Sequence, residues 1–165
     1  MKLEQIDFDK INFVLMDLDG VLSDGSLLYA PNGDLLKIFS VYDGYGIERG
    51  RQHGLKFGIL TGKENEVNRI RARRLKVDEL HESCGDKLQK FEEIKLKYKL
   101  ENENFCFIGD DIFDLPLLLK VAFSCAPVNA VEDVKDKVHY VTKIPGGRGA
   151  VREVIDFILK KKGFI

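Results

Sequence analysis

Residues 12–25 read NFVLMDLDGVLSDG, and this stretch decides the fold. Its first half, Phe13-Val14-Leu15-Met16, is an unbroken apolar run, the pattern of a strand covered on both faces. The run breaks at Asp17-Leu18-Asp19-Gly20, so two carboxylates stand at the lip of a buried strand. Burying an unpaired carboxylate is costly. A strand end that carries two has a cation to share, a reaction to run, or an exit into solvent.

The same pattern recurs outward from this point. KFGIL at 56–60 closes on Thr61-Gly62, and NFCFI at 104–108 closes on Gly109-Asp110-Asp111. Helical patterns fill the intervals: 45–52, then 64–75 with a basic flank at Arg69, Arg71, Arg73 and Arg74, then 86–98. A short helix is expected over 112–120, where Pro116 is tolerable only near the first turn, and an amphipathic helix over 149–161. Short strands are expected at 121–125 and 138–141. The apolar runs 27–29 and 35–41 flank Pro31-Asn32-Gly33-Asp34, and Asn-Gly between two such runs signals a hairpin. Apolar strands alternating with helices imply an α/β fold, a doubly wound and mainly parallel sheet covered on both faces. In such sheets ligands bind at the carboxyl ends of the strands, so the three polar strand ends are expected to converge.

Composition removes several classes of function. The chain has 165 residues, 44% hydrophobic and 32% charged, which suits one domain, 1–165, with a real core. A net charge of -1 suggests neither a nucleic-acid surface nor a polybasic membrane patch. The opening MKLEQIDFDK lacks a signal-peptide core, and no apolar run approaches the roughly 20 residues of a membrane span. Cys84, Cys106 and Cys125 have no CxxC spacing, and Cys106 and Cys125 sit in apolar runs. A reduced, cytoplasmic protein is expected.

Asp17, Asp19, Asp110, Asp111 and Asp114 supply hard oxygen ligands, which suit Mg²⁺. The His and Cys partners that zinc prefers are missing from the cluster. An EF-hand fails: counted from Asp17, its fifth, sixth and twelfth positions are Val21, Leu22 and Leu28. There is no Walker A motif.

The order hhhhDxDGVxS, hhhTG, a lone lysine opening a helix, and hhhGDDxxD resembles the four-part signature of the haloacid dehalogenase superfamily, from Asn12 to Asp114. That resemblance implies a mechanism. Asp17 is the expected nucleophile, forming an aspartyl-phosphate, and Asp19 the expected general acid and then base. Mg²⁺ is expected on Asp17, the backbone carbonyl of Asp19, and Asp110. Thr61 is expected to bind the phosphoryl oxygens through its hydroxyl and backbone N–H, and Lys87 to neutralise them. Asp111 and Asp114 are expected to hold the metal's waters and to orient Lys87.

VLSDG, the hairpin, VYDGYGI at 41–47 and PGGRGAVREV at 145–154 extend the resemblance over nearly the whole chain. They are similar to the capless subgroup that hydrolyses 3-deoxy-D-manno-octulosonate 8-phosphate (KDO 8-phosphate). This implies a Rossmann-like core with a β-hairpin flap at about 25–41 and no cap domain. It also implies a homotetramer, in which the flap completes a neighbour's site. Candidate substrate contacts are Asp43, Gly62, Lys63, Arg74 and Arg148. Lys63 stands where the eight-carbon enzymes usually carry arginine, and it keeps the charge without the bidentate fork. Arg74 stands where they tend to have a small residue. A phosphatase for a nine-carbon sialic-acid-like phosphate therefore stays open, as does a catalytically silent scaffold. A phosphomutase normally needs a cap, and the sequence leaves no room for one.

Overall fold

The computed structural model describes residues 3–33 and 35–165. Asp34, in the expected turn, lies outside the described residues. Six parallel strands form one sheet: β1 (Phe13–Met16), β4 (Lys56–Leu60), β5 (Glu79–His81), β6 (Phe105–Ile108), β7 (Phe123–Ala126) and β8 (Tyr140–Val141), in the order β5-β4-β1-β6-β7-β8. β1 lies at the centre. The chain winds outward from it on one side through β4 and β5, then returns to its other side with β6. That reversal between β1 and β6 is where open α/β sheets bind their ligands.

Every side chain of β1 is buried, and the strand's period of two sends them to opposite layers. Val14 and Met16 pack with Ile47 of α1 (Val41–Gln52), Leu75 of α2 (Glu66–Leu75) and Ile155 of α6 (Ala150–Lys161). Phe13 and Leu15 pack with Phe91 and Ile94 of α3 (Lys87–Tyr98) and with Leu117 and Leu118 of α4 (Leu115–Leu118). A further turn of helix, α5 (Glu132–Lys135), adds Val134 to that second layer. In α6, Val151, Val154, Ile155, Ile158 and Leu159 are all buried at helical spacing. Each such side chain contributes about 1.5–3 kcal/mol.

The register sets the site. Met16 lies opposite Ile59 on β4 and Ile108 on β6, so the three strands end level with one another. Asp17, Thr61 and Asp110 follow those ends.

Several boundaries differ from the sequence reading: the expected helix over 112–120 is a 3-10 turn at Ile112–Asp114 followed by α4, the strands at 121–125 and 138–141 run Phe123–Ala126 and Tyr140–Val141, and three more differences lie near the flap. The hairpin ladder is only β2 (Leu28–Tyr29) against β3 (Leu35–Leu36), closed where the Gly33 N–H donates to the Ala30 carbonyl at 2.8 Å. Helix α1 begins at Val41 because the Ser40 hydroxyl accepts the Tyr42 N–H at 3.1 Å and caps it. Likewise Asn65 caps α2, which starts at Glu66. β5 and α5 were not expected: a three-residue strand reading Glu-Leu-His and a single helical turn carry no periodicity to detect.

Candidate active site

The ends of β1, β4 and β6 open into a cleft of about 680 Å³, lined among others by Asp17, Asp19, Thr61, Gly62, Lys63, Asp110 and Asp111. Asp17 is 3% exposed. One of its carboxylate oxygens accepts the Leu18 N–H at 2.7 Å and lies 3.0 Å from the Lys87 ammonium. Burial pushes the Asp17 carboxyl up to about 6; Lys87 opposes that rise and Asp114 adds to it.

Lys87 opens α3, whose N-cap Asp86 accepts the N–H groups of Leu88 and Gln89. The ammonium is itself buried. It donates to Asp114 at 2.6 Å and stands 4.6 Å over the Phe113 ring. The remaining Asp114 oxygen accepts the backbone N–H of Asp110 at 3.0 Å and more weakly that of Asp111. Asp114 thus orients Lys87 and braces the β6 loop together. Asp111 accepts the Ile112 N–H at 2.6 Å, capping the turn Ile112–Asp114.

Asp110 faces Asp17 with one buried carboxylate oxygen, Oδ1, that has no hydrogen-bond partner. Burial first, then the Asp17 and Asp114 charges, push its carboxyl up to about 7. Carboxylate oxygens of Asp17, Asp110 and Asp114 lie within 4.8 Å of one another. An all-oxygen set with an orphaned buried acceptor fits a hard divalent cation. Asp114 is already committed to Lys87 and two N–H groups, so Asp17 and Asp110 are the available side-chain ligands.

Glycines let the loops close on one another. Gly20 has φ +89°, and a Cβ there would lie 1.9 Å from Asp110 Oδ2. The loop at 145–149 lies against the same turn: Gly147 N–H donates to Val21 O at 2.9 Å, and the Asn129 amide bridges Gly20 O and Gly146 N–H.

Thr61, 2% exposed, is at the cleft as expected, but its backbone N–H donates to His81 O at 2.9 Å. Only its hydroxyl remains for a ligand, because β5 extends the sheet past the strand end. Two expected substrate contacts lie away from this cleft. Asp43 is fully buried away from the cleft, accepting the Arg152 N–H at 2.9 Å at the start of α6. It caps the start of α6 and does not line this cleft. Arg74 lies on α2, in a small groove with Leu36, Lys37, Phe39 and Ile70, and does not line the cleft. Arg148 is exposed and 3.4 Å from Asp24, a residue at the cleft's edge.

Lys37 is the residue the sequence reading missed. Its ammonium reaches both Asp19 oxygens, at 2.7 and 2.8 Å. The available signal was a lone charge inside the apolar run Leu35-Leu36-Lys37-Ile38-Phe39.

Residues 59–155 match the family model for haloacid dehalogenase-like hydrolases. The 3-deoxy-D-manno-octulosonate 8-phosphate phosphatase KdsC of Escherichia coli (strain K12) is 37% identical over 155 residues, covering 94% of this chain and 82% of that one. Its Yersinia pestis counterpart is 39% identical over 149 residues, covering 90% and 80%. The crystal structure of the Moraxella catarrhalis phosphatase, in complex with magnesium ion, phosphate ion and KDO, is 34% identical with a TM-score of 0.92, covering 95% of this chain and 91% of that one. The chain belongs to the haloacid dehalogenase-like hydrolases and, within them, to the KDO 8-phosphate phosphatase family.

Proposed function

We infer that this chain is a Mg²⁺-dependent phosphatase that hydrolyses KDO 8-phosphate to KDO and inorganic phosphate. The observation that carries the reading is the cluster at the β1 and β6 ends and the start of α3: buried Asp17, buried Lys87 at 3.0 Å from it, and half-buried Asp110 with a buried, unpartnered oxygen. Asp17 and Asp110 would hold Mg²⁺ with the Asp19 carbonyl, and the ion would screen the repulsion between a carboxylate and a phosphate.

The Asp17 carboxylate attacks phosphorus, forming an Asp17 O–P bond as the P–O bond to the sugar breaks. Asp19 delivers its proton to the leaving sugar oxygen. Water then attacks the phosphoryl group, Asp19 takes its proton, and the Asp17 O–P bond breaks to give phosphate. Lys87 holds the phosphoryl charge, the Thr61 hydroxyl and the Gly62 backbone orient it, and Asp111 would help hold a bound Mg²⁺ ion's waters. Lys63, at the cleft wall, meets the sugar carboxylate as a point charge. Arg148 reaches the cleft mouth. Arg74 lines a neighbouring groove rather than the cleft, which supports the eight-carbon reading.

Residues 1–165 act in this reading as one catalytic unit with the hairpin as its flap. Leu27, Leu28, Tyr29 and Leu36 are each about half exposed or more, an apolar surface that favours a homotetramer in which the flap covers a neighbour's site. A cytoplasmic location fits three cysteines that are all buried and unpaired. No helix among the described residues is long and apolar enough to cross a membrane.

The test is phosphate release from KDO 8-phosphate with Mg²⁺, beside EDTA and Asp17→Asn controls. Metal-dependent turnover lost in the variant is the expected result. Release only from a nine-carbon acid phosphate would move the specificity and keep the mechanism. Silence on every phosphate, in folded protein with Mg²⁺, would overturn the reading in favour of a scaffold.

A further inference from the structure

Lys37 is the one charge in an otherwise apolar flap strand, and it is turned inward: its side chain is 1% exposed. The ammonium contacts Asp19 Oδ1 at 2.7 Å, Asp19 Oδ2 at 2.8 Å and Asn68 Oδ1 at 3.0 Å. A lysine has three N–H donors, and three acceptors surround this one. Its flap neighbours Leu36 and Ile38 are more than half exposed, so the chain folds a cation inward while leaving hydrocarbon outside. That inverts the usual preference and calls for a local reason.

The partners supply the reason. Asp19 is gripped from two elements, by Lys37 from the flap and by the Ser23 hydroxyl at 3.1 Å from its own loop. Asn68, fully buried on α2, spans the next gap: its amide donates to the Lys63 carbonyl at 3.1 Å. One continuous polar path therefore joins the β1 loop, the flap root, α2 and the loop after β4.

We propose that Lys37 is a positioning residue, which fixes the Asp19 carboxylate for proton transfer within its own chain and, through Asn68, holds the Lys63 loop in register with it. The proposal rests on the reading of Asp19 as acid and base. It gives the flap a second duty. Its exposed apolar tip faces outward, and its root completes the site of the chain that carries it.

The experiment compares two substrates. A sugar alkoxide needs a proton to leave, and p-nitrophenolate does not, so misplacing the acid slows the first more than the second. The ratio of their kcat/KM values isolates this, because kcat/KM covers the steps through attack by Asp17 and omits the later hydrolysis that both substrates share. Lys37→Met keeps the stem and removes the charge. It is expected to lower kcat/KM on KDO 8-phosphate roughly tenfold or more, through kcat rather than KM, with a much smaller loss on p-nitrophenyl phosphate. Lys37→Arg restores part of the loss. Asn68→Ser leaves Lys37 in place and is expected to shift the same ratio in the same direction by less, which keeps the test open if Lys37→Met does not fold.

Asp19→Asn is measured alongside. Equal losses on both substrates, or none, in the Lys37 and Asn68 variants, with Asp19→Asn still selective against the sugar phosphate, would overturn the positioning role and leave the Asp19 reading standing. Full sugar-phosphate turnover in Asp19→Asn would overturn both.

Discussion

Asp17 and Asp110, held at about 6 and about 7 chiefly by burial, each keep a proton more tightly in the folded chain than in the unfolded one. The stability that follows is full below about pH 4 and is lost as the pH rises through 6 and 7. A divalent cation needs both groups deprotonated, so it opposes this loss. The melting temperature without Mg²⁺ is therefore expected to fall between about pH 4 and pH 7, and added Mg²⁺ to raise it most above that range; thermal shift assays across pH check this. Asp110→Asn is expected to abolish Mg²⁺-dependent turnover while raising the metal-free melting temperature at pH 8 by a few degrees, since it removes a crowded charge. At Gly20 both the positive φ and the missing Cβ matter. Gly20→Ala is expected to lower stability by about 1–3 kcal/mol and to displace Asp110, seen as loss of Mg²⁺ activation. Asp17, Asp19 and Asp110 were legible because the strand-then-carboxylate pattern repeats along the chain. Lys37 was not, because a side chain's inward turn depends on partners that only the fold supplies.

Among the elements, the clearest lesson lies at the contact of α1 with α6. Asp43 sits on α1 and accepts N–H groups at the start of α6, whose own N-cap, Gly149, has no side chain to offer. A motif reading assigns such an aspartate to substrate because its sequence neighbours look functional; the packing assigns it to a helix end. Asp43→Ala is expected to lower stability by about 2 kcal/mol in urea unfolding, through unsatisfied donors, and to leave KM for the sugar phosphate unchanged. Burial pushes the Asp43 carboxyl up to about 6. Stability from this group is therefore complete below about pH 4 and lost as the pH rises through 6. Asp43→Asn, which keeps an acceptor, should make melting temperature less pH-dependent between about pH 4 and 6 than in the wild type. Strands β1, β4 and β6 were readable from length and apolar content alone. The hairpin was readable as a turn but not in its extent, because Lys37 leaves the ladder for Asp19 and Ser40 starts a helix one residue later.

At the scale of the molecule, the exposed Leu27, Leu28, Tyr29 and Leu36 form the apolar surface on which the proposed homotetramer would depend. Leu28→Asp combined with Leu36→Asp is expected to shift the sedimentation coefficient toward that of the monomer and to reduce turnover of KDO 8-phosphate more than that of a small aryl phosphate. Loss of assembly without that difference would assign the flap to association alone. The parallel sheet and its two covering layers followed from the alternation of apolar runs and helices, whereas the strand order and the exposure of the flap's apolar residues came only with the fold. The loop at 145–149, pinned across Gly20 and Val21, has a consequence for how the protein is born. A ribosome delivers the Asp17 turn well before the loop that fastens it, so a nascent chain that stops short of Gly147 carries every carboxylate of the centre but lacks the clasp across Gly20 and Val21. A chain truncated before Gly147 is therefore expected to show no turnover, even though its acidic cluster is complete in sequence.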